Sequence, residues 1–296
     1  MRITQNMITA SSVNRLEANR EKFNRSQQVL ATGKRVLKPS DDPAASKSIL
    51  RFRTRVASVT QYRDNIAAGQ SRLELADDSL GMVDKLLHQA RSIAVEYPAG
   101  YDDDTRQTAA DAVRDIYDQV KDMANMRYGD QYIFAGHQSD SPPASRDDAY
   151  NATWSGDDGD VRTAIGDGIQ TSLNAGGENP FRTDDGTLVF DTLRNIIDGL
   201  EAGDPDAVAA EVDALDRSIT QVRDVQGKYA ATYDRLQTTD VHLHRELMNV
   251  ETLLADTEQA DLSQAAVELQ LQQIAYESAL SATSKIVPQT LLDFLK

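Results

Sequence analysis

The stretch VAAEVDALDRSITQVRDVQGKYAATYDRLQTTDVHLHRELMNVETLL, residues 208–254, decides the architecture. Val208, Leu215, Val222, Tyr229, Leu236, Leu243 and Val250 recur at heptad spacing. A second row runs Val212, Ile219, Gln226, Tyr233, Asp240, Leu247 and Leu254. Two such rows draw one apolar seam along a helix, the pattern that a coiled-coil partner covers. Gln226 and Asp240 are polar seam positions, which cost stability and fix register. Asp204-Pro205 just upstream supplies a capping carboxylate and a proline at the first helical position, where its missing N–H is harmless.

A matching segment lies earlier in the chain. Phe52, Val59, Ile66, Leu73, Leu80, Leu87 and Ala94 form one row. Ile49 and Val56, then Ala76, Val83 and Ala90, form the other, with a phase change near Gly69. The spacing predicts a single helix of about 50 residues, roughly 75 Å long, stopped by Pro98 and Gly100. Asp42 and Pro43 give it the same cap-plus-proline start. Two helices of equal length with complementary seams imply an antiparallel hairpin.

Between them, a shorter helix is expected from near Asp104, with Ala109, Val113, Ile116, Val120 and Met123 on one face. Residues 129–186 differ in kind: they hold nine of the 16 glycines, Asp-rich turns and β-prone runs at YIFAG, VRTAIGDGIQTSL and TLVF. Turn clusters between short alternating runs predict a small β-rich domain. Helical pattern returns at Phe190–Leu200.

Outside this hairpin lie two amphipathic ends. The first carries Val13, Leu16, Phe23 and Leu30, with Arg20 and Gln27 at the intervening steps, and Gly33 is placed to end the helix in a left-handed cap. After a phase break near Asp261, the last segment shows Leu262, Ala266, Leu269, Gln273, Tyr276, Leu280, Thr283 and Val287, then the apolar tip Leu291, Leu292, Phe294 and Leu295. Thin two-helix pairs with polar seam residues bury little apolar area, so these ends are expected to order against other copies or partners. Proteolysis of the monomer should spare a core near residues 43–257. The fold class is therefore mainly α: a long antiparallel coiled-coil hairpin rod with amphipathic terminal helices and a small β-rich inserted domain. The zones are 1–42 with 258–296 for the arms, 43–128 with 190–257 for the rod, and 129–189 for the insert.

Composition narrows the function. The formal net charge is −16, which repels phosphate backbones and anionic membrane surfaces. Residues 1–60 run against this, with 12 Lys/Arg and 4 Asp/Glu, a net of +8 against −24 for the rest. That basic arm lacks interleaved aromatics for stacking bases and suits acidic surface on its own chain or a neighbour. There is no cysteine, which removes disulfides, thiol catalysis and thiolate metal sites. The first residues lack the apolar core of a secretory signal, and no apolar run approaches the roughly 20 residues that span a membrane.

No catalytic, cofactor or metal constellation emerges. His242 and His244, two apart on a helix, face different ways; His88 flanks a seam and His137 lies in a loop. The run Ser155–Asp160 lacks the alternating ligands and closing Glu of a calcium loop. Gly166 and Gly168 form a GxG without a third glycine or a strand–helix unit. Function is thus expected in the sides and ends of the helices, with Val13, Leu16, Phe23, Leu30, Leu262, Leu269, Tyr276, Leu280, Leu291 and Phe294 as the assembly interface.

The loop TGKRVLKPSDDPAA, residues 32–45, resembles the signature after the first helix of bacterial flagellins and flagellar hook-associated proteins, and SALSATSKIVPQTLLDFLK resembles their last helix. MRITQNM, GDQYIFAGHQSDSPP followed by WSGDDGDVRTAIGDGI, and LLDFL resemble the hook–filament junction branch of that family; Ala144 departs from its usual aromatic. The resemblance implies a non-enzymatic structural subunit of the flagellum, exported unfolded without a cleaved signal. It implies self-association in a ring or helical array, a sister hook-associated protein and flagellin as neighbours, and an export chaperone on the carboxyl-terminal segment. The terminal arms would form an inner tube, the coiled coil a surrounding layer, and the insert would project outward. Nucleic acid and membrane insertion are not expected. The alternatives are a flagellin and, further off, a secreted coiled-coil adhesin.

Overall fold

A computed structural model describes residues 5–96 and 102–286. Six helices carry most of the chain: α1 (Gln5–Thr32), α2 (Pro43–Glu96), α3 (Asp103–Ala124), α4 (Val189–Ala202), α5 (Pro205–Glu258) and α6 (Leu262–Ile286). The strands form three separate antiparallel pairs: β1 (Arg127–Tyr128) with β2 (Gln131–Tyr132), β3 (Ala144–Arg146) with β4 (Ala152–Trp154), and β5 (Arg162–Gly166) with β6 (Ile169–Ser172). The mainly α class with a small β region is as the sequence implies. The chain divides into two compact units, Met1–Ser58 with Glu246–Lys296 and Val59–Arg245, a different partition from the three zones drawn by composition.

In the unit Val59–Arg245 the heptad rows are the core. Val59, Ile66, Leu73, Leu80 and Leu87 of α2 and Val208, Leu215, Val222 and Leu236 of α5 are sealed from solvent. α5 runs antiparallel to α2, as polar rungs beside the seam record. Arg63 Nε lies 2.8 Å from Asp240 Oδ1, Tyr233 Oη donates to Glu74 at 2.8 Å, Arg223 Nε meets Asp84 at 2.7 Å, and Arg91 Nε meets Asp216 at 2.6 Å. The seam carboxylate Asp240 is thus matched by Arg63, whose guanidinium it holds above its usual pKa. Both long helices are 54 residues, and their starts are built as expected. Asp42 Oδ1 accepts the Ala45 N–H at 2.9 Å, and Asp204 Oδ1 accepts that of Ala207 at 3.1 Å. Pro98 and Gly100, read as the stop of α2, lie outside the described residues.

α3 and α4 add a second layer of core to this unit. α3 buries Ala110, Val113, Ile116, Tyr117, Val120 and Ala124. Val113, Ile116 and Val120 lie on this face as expected, but Ala109 and Met123 at its ends are only half-buried, with Ala110 and Ala124 buried in their place and Tyr117 also enclosed. The ring of Tyr117 meets Phe190 at 5.3 Å, and Phe181 bridges Phe190, Phe134 and Trp154. That aromatic cluster explains two departures from the expected strands. In YIFAG only Tyr132 pairs as strand; Ile133, Phe134 and Ala135 turn inward and are buried. In TLVF, Leu188 makes a lone bridge to Arg182 and Val189 opens α4, because Val189 and Phe190 continue the buried face of Leu193, Ile196 and Ile197.

The third run, VRTAIGDGIQTSL, is the β5–β6 hairpin, with the GxG at its turn and Gly168 at φ +70°. The hairpin lies along the long helices. Asn65 donates to the Ala164 carbonyl at 2.8 Å, Tyr62 to Asp167 at 2.8 Å, and Arg235 to Thr171. Gly69 faces Leu173 of this run, since a Cβ there would stand 3.0 Å from Leu173 Cδ2 and crowd it. The phase change of the heptad near Gly69 is therefore where the insert packs.

Candidate assembly surface

The surface singled out by sequence belongs to the unit Met1–Ser58 with Glu246–Lys296. α1 ends as the chain dictates: Gly33 adopts φ +66° and its N–H closes on the Val29 carbonyl at 2.8 Å. α6 begins on Asp261, whose Oδ1 accepts the N–H groups of Ser263 at 2.8 Å and Gln264 at 3.1 Å. The two helices pack against each other, with the rings of Phe23 and Tyr276 stacked at 6.0 Å.

This seam is thin. On α1 the seam positions are Ser12, Leu16, Asn19, Phe23, Ser26 and Leu30, with Val29 also half-buried beside them; on α6 they are Ala265, Leu269, Gln272, Tyr276, Ala279 and Thr283, with Ala275 beside them. Both sets follow the alternating 3-4 step of a coiled coil, but small and polar residues fill half of the α1 set and four of the six α6 positions. Of the ten residues predicted for the interface, Leu16, Phe23, Leu30, Leu269 and Tyr276 lie on the seam, all half-buried. Val13, Leu262 and Leu280 do not: they are 39%, 55% and 48% exposed, because the seam falls on Ser12 of α1 and is rotated toward Ala265 and Ala279 on α6. Leu291 and Phe294 lie outside the described residues.

Sequence reading missed a second apolar stripe. Val267, Leu271 and Ile274, at i, i+4 and i+7, are each more than half exposed on the side of α6 away from the seam. The spacing is legible in the sequence, but the Leu262–Tyr276 row is equally regular and masks it. α6 thus presents apolar side chains on the seam, beside it at Leu262 and Leu280, and opposite it. α1 covers one of these faces. A helix that is apolar on several sides belongs in a buried setting.

Behind the arms, the loop Gly33–Asp42 is folded against the end of α5. Lys34 and Gln259 form an antiparallel bridge, Arg35 N–H donates to the Glu258 carbonyl at 2.8 Å, and Ala260 N–H donates to the Gly33 carbonyl at 2.9 Å. Glu258 is only 7% exposed, and its Oε1 stands 2.6 Å from both Lys34 Nζ and Arg53 Nη2. Burial pushes its carboxyl up, but the two cations outweigh this and hold it below the usual glutamate range. Asp41 accepts the Lys38 N–H at 3.0 Å and pairs with Arg25 at 3.3 Å, which also lower its pKa.

Other candidate chemistry is absorbed locally. Asp157 of the acidic turn accepts the N–H groups of His137 at 2.7 Å and Gly159 at 3.1 Å. Asp160 pairs with Arg162. No group of three metal-ligating side chains occurs among the described residues, and no described helix is long and apolar enough to cross a membrane.

Family models match both ends: the bacterial flagellin N-terminal helical region over residues 3–139, and the C-terminal helical region over residues 212–295. The chain is similar to flagellar hook-associated protein 3 of Escherichia coli, 26% identical over 50% of this chain and 47% of that one. The Salmonella typhimurium protein of the same name is 28% identical over 48% of this chain and 46% of its own. The match thus spans about half the length of these curated relatives. Flagellin of Listeria monocytogenes aligns at 20% identity over 100% of this chain and 99% of its own. Among solved structures, one described as a flagellar hook-associated protein of Vibrio parahaemolyticus superposes with a TM-score of 0.68 at 18% identity, over 74% of this chain and 100% of that one. The flagellar junction protein of Legionella pneumophila gives 0.57 at 16%, over 73% and 100%. These superpositions establish a shared fold, and the two terminal models together span most of the sequence. The helices that the structure pairs as α1 and α6 are the two ends those models describe, and the chain belongs to the bacterial flagellin family.

Proposed function

We infer that this chain is a structural subunit of the bacterial flagellum that joins hook to filament, without enzymatic activity. It would be exported to the cell exterior and assemble through its terminal helices with copies of itself, a sister hook-associated protein and flagellin. An export chaperone would hold the carboxyl-terminal segment beforehand. One observation carries the reading: α6 is apolar on faces that α1 leaves uncovered, at Leu262, Leu280 and the Val267–Leu271–Ile274 stripe. A solitary two-helix pair has nothing to bury those faces against, whereas a closed array supplies neighbours on every side. The basic first arm facing an acidic remainder would add register that weakens with salt. The names of the curated relatives favour the junction role.

A strain lacking this protein tests the reading. Bare hooks, with filament protein lost to the medium, are expected in electron micrographs; intact filaments would overturn it. The second reading, a filament subunit, is favoured by the end-to-end alignment with Listeria flagellin. Copy number separates the two, since a filament subunit is the bulk protein of sheared flagella and a junction protein a trace component.

A further inference from the structure

The assembly reading leaves open how two thin arms keep a fixed register before any neighbour is present. The α1–α6 seam alone is a poor answer, with polar or small residues at more than half its positions. The folded linkers behind it are better built. Residues 33–35 and 257–260 are joined by backbone hydrogen bonds and by Arg35 Nη2 donating to the Thr257 carbonyl at 3.1 Å, while the Arg35–Asp42 pair at 3.4 Å braces the first linker internally. Their shared centre is the Glu258 carboxylate, the most buried charged group among the described residues of this unit. One oxygen of it serves Lys34 from the first linker and Arg53 from α2. Three segments far apart in sequence therefore meet on one acceptor: the exit of α1, the body of α2 and the exit of α5.

We propose that Glu258 is a positioning residue for the assembly surface, its carboxylate clasping the two linkers so that α1 and α6 are presented in one register. The asymmetry of the site supports this. Lys34 and Arg53 are about half exposed and keep their hydration, so the clasp opens if the carboxylate is neutralised, without stranding a buried cation. Glu258 closes α5 and belongs to neither the stripe nor the seam, so it would act through the direction of the arms. The proposal rests on the assembly reading for its consequence, but not for its geometry.

The test uses the full chain, whose lack of cysteine lets an engineered pair report alone. Lys22→Cys and Gln272→Cys place one thiol on each arm beside a common groove. A short bis-maleimide should link them quickly within the dilute monomer. Glu258→Gln is expected to slow that link about tenfold, the scale of a lost charged hydrogen bond, with helix content by circular dichroism unchanged. Arg53→Met, which leaves Lys34 on the carboxylate, should give a smaller loss, and Glu258→Asp a partial recovery. In cells, Glu258→Gln should reduce filament attachment in the same order. Unchanged cross-linking in Glu258→Gln and Arg53→Met would overturn the clasp, whatever the flagella look like. Slowed cross-linking with normal flagella would overturn the assembly reading instead.

Discussion

The helix pair of Val59–Arg245 and the helix pair of the chain ends share one kind of sequence pattern and reach opposite degrees of completion. α2 and α5 seal a row of Ile, Leu and Val between them, back it with α3 and α4, and flank it with Arg–carboxylate rungs. α1 and α6 stack one aromatic pair and leave most of their apolar residues half-buried or exposed. The heptad repeat states that a face will be covered. It does not state by which chain. What separates the two cases is the second layer: α2–α5 receives it from within the sequence, and α1–α6 has none among the described residues.

Substitutions in the two seams should break this contrast, or sharpen it, most visibly. Leu80→Ala empties a sealed position and is expected to cost about 2–5 kcal/mol in denaturant unfolding. Leu269→Asp, at the equivalent place in the arm pair, should shift unfolding by less than about 1 kcal/mol yet abolish filament attachment in complemented cells. Large destabilisation by Leu269→Asp would show the arms to be as complete as the core. Ile274→Asp, on the stripe away from α1, is expected to behave like Leu269→Asp in cells with still less effect on the monomer. A smaller effect tests the rungs: a double-mutant cycle on Arg63 and Asp240 should return about 0.2–1 kcal/mol, since both side chains are partly solvated.

The smallest expected effect concerns pH. Thr183 and the Thr187 N–H hold the Asp185 carboxyl down to about 2. Its folded pKa is depressed, so its contribution is complete above the ordinary 3.8 and fades as pH falls toward 2. An NMR titration should place Asp185 well below the ordinary 3.8. A value at 3.8 would remove the Thr183–Thr187 turn from the account.

The architecture was legible because heptads, Asp-Pro starts and Gly33 are local signals that packing did not override. Every seam residue from Val59 to Leu87 and from Val208 to Leu236 in the first rows is where its spacing puts it. The misses have a common cause. Phe134, Val189 and Phe190 have strand-like neighbours, but the Phe181 cluster, assembled from distant segments, captures them. On α6 two regular rows coexist, and only the position of α1 decides which is the seam. Glu258 carries no periodic signal, since its partners Lys34 and Arg53 are brought to it by a linker whose fold is not periodic.

Hydrogen–deuterium exchange on the dilute monomer and on the assembled protein tests the central claim most directly. In the monomer, amides of α1 and α6 should exchange far faster than those of α2 and α5 around Leu80 and Val222, and assembly should slow α1 and α6 selectively. Equal protection of all four helices in the monomer, unchanged on assembly, would contradict it.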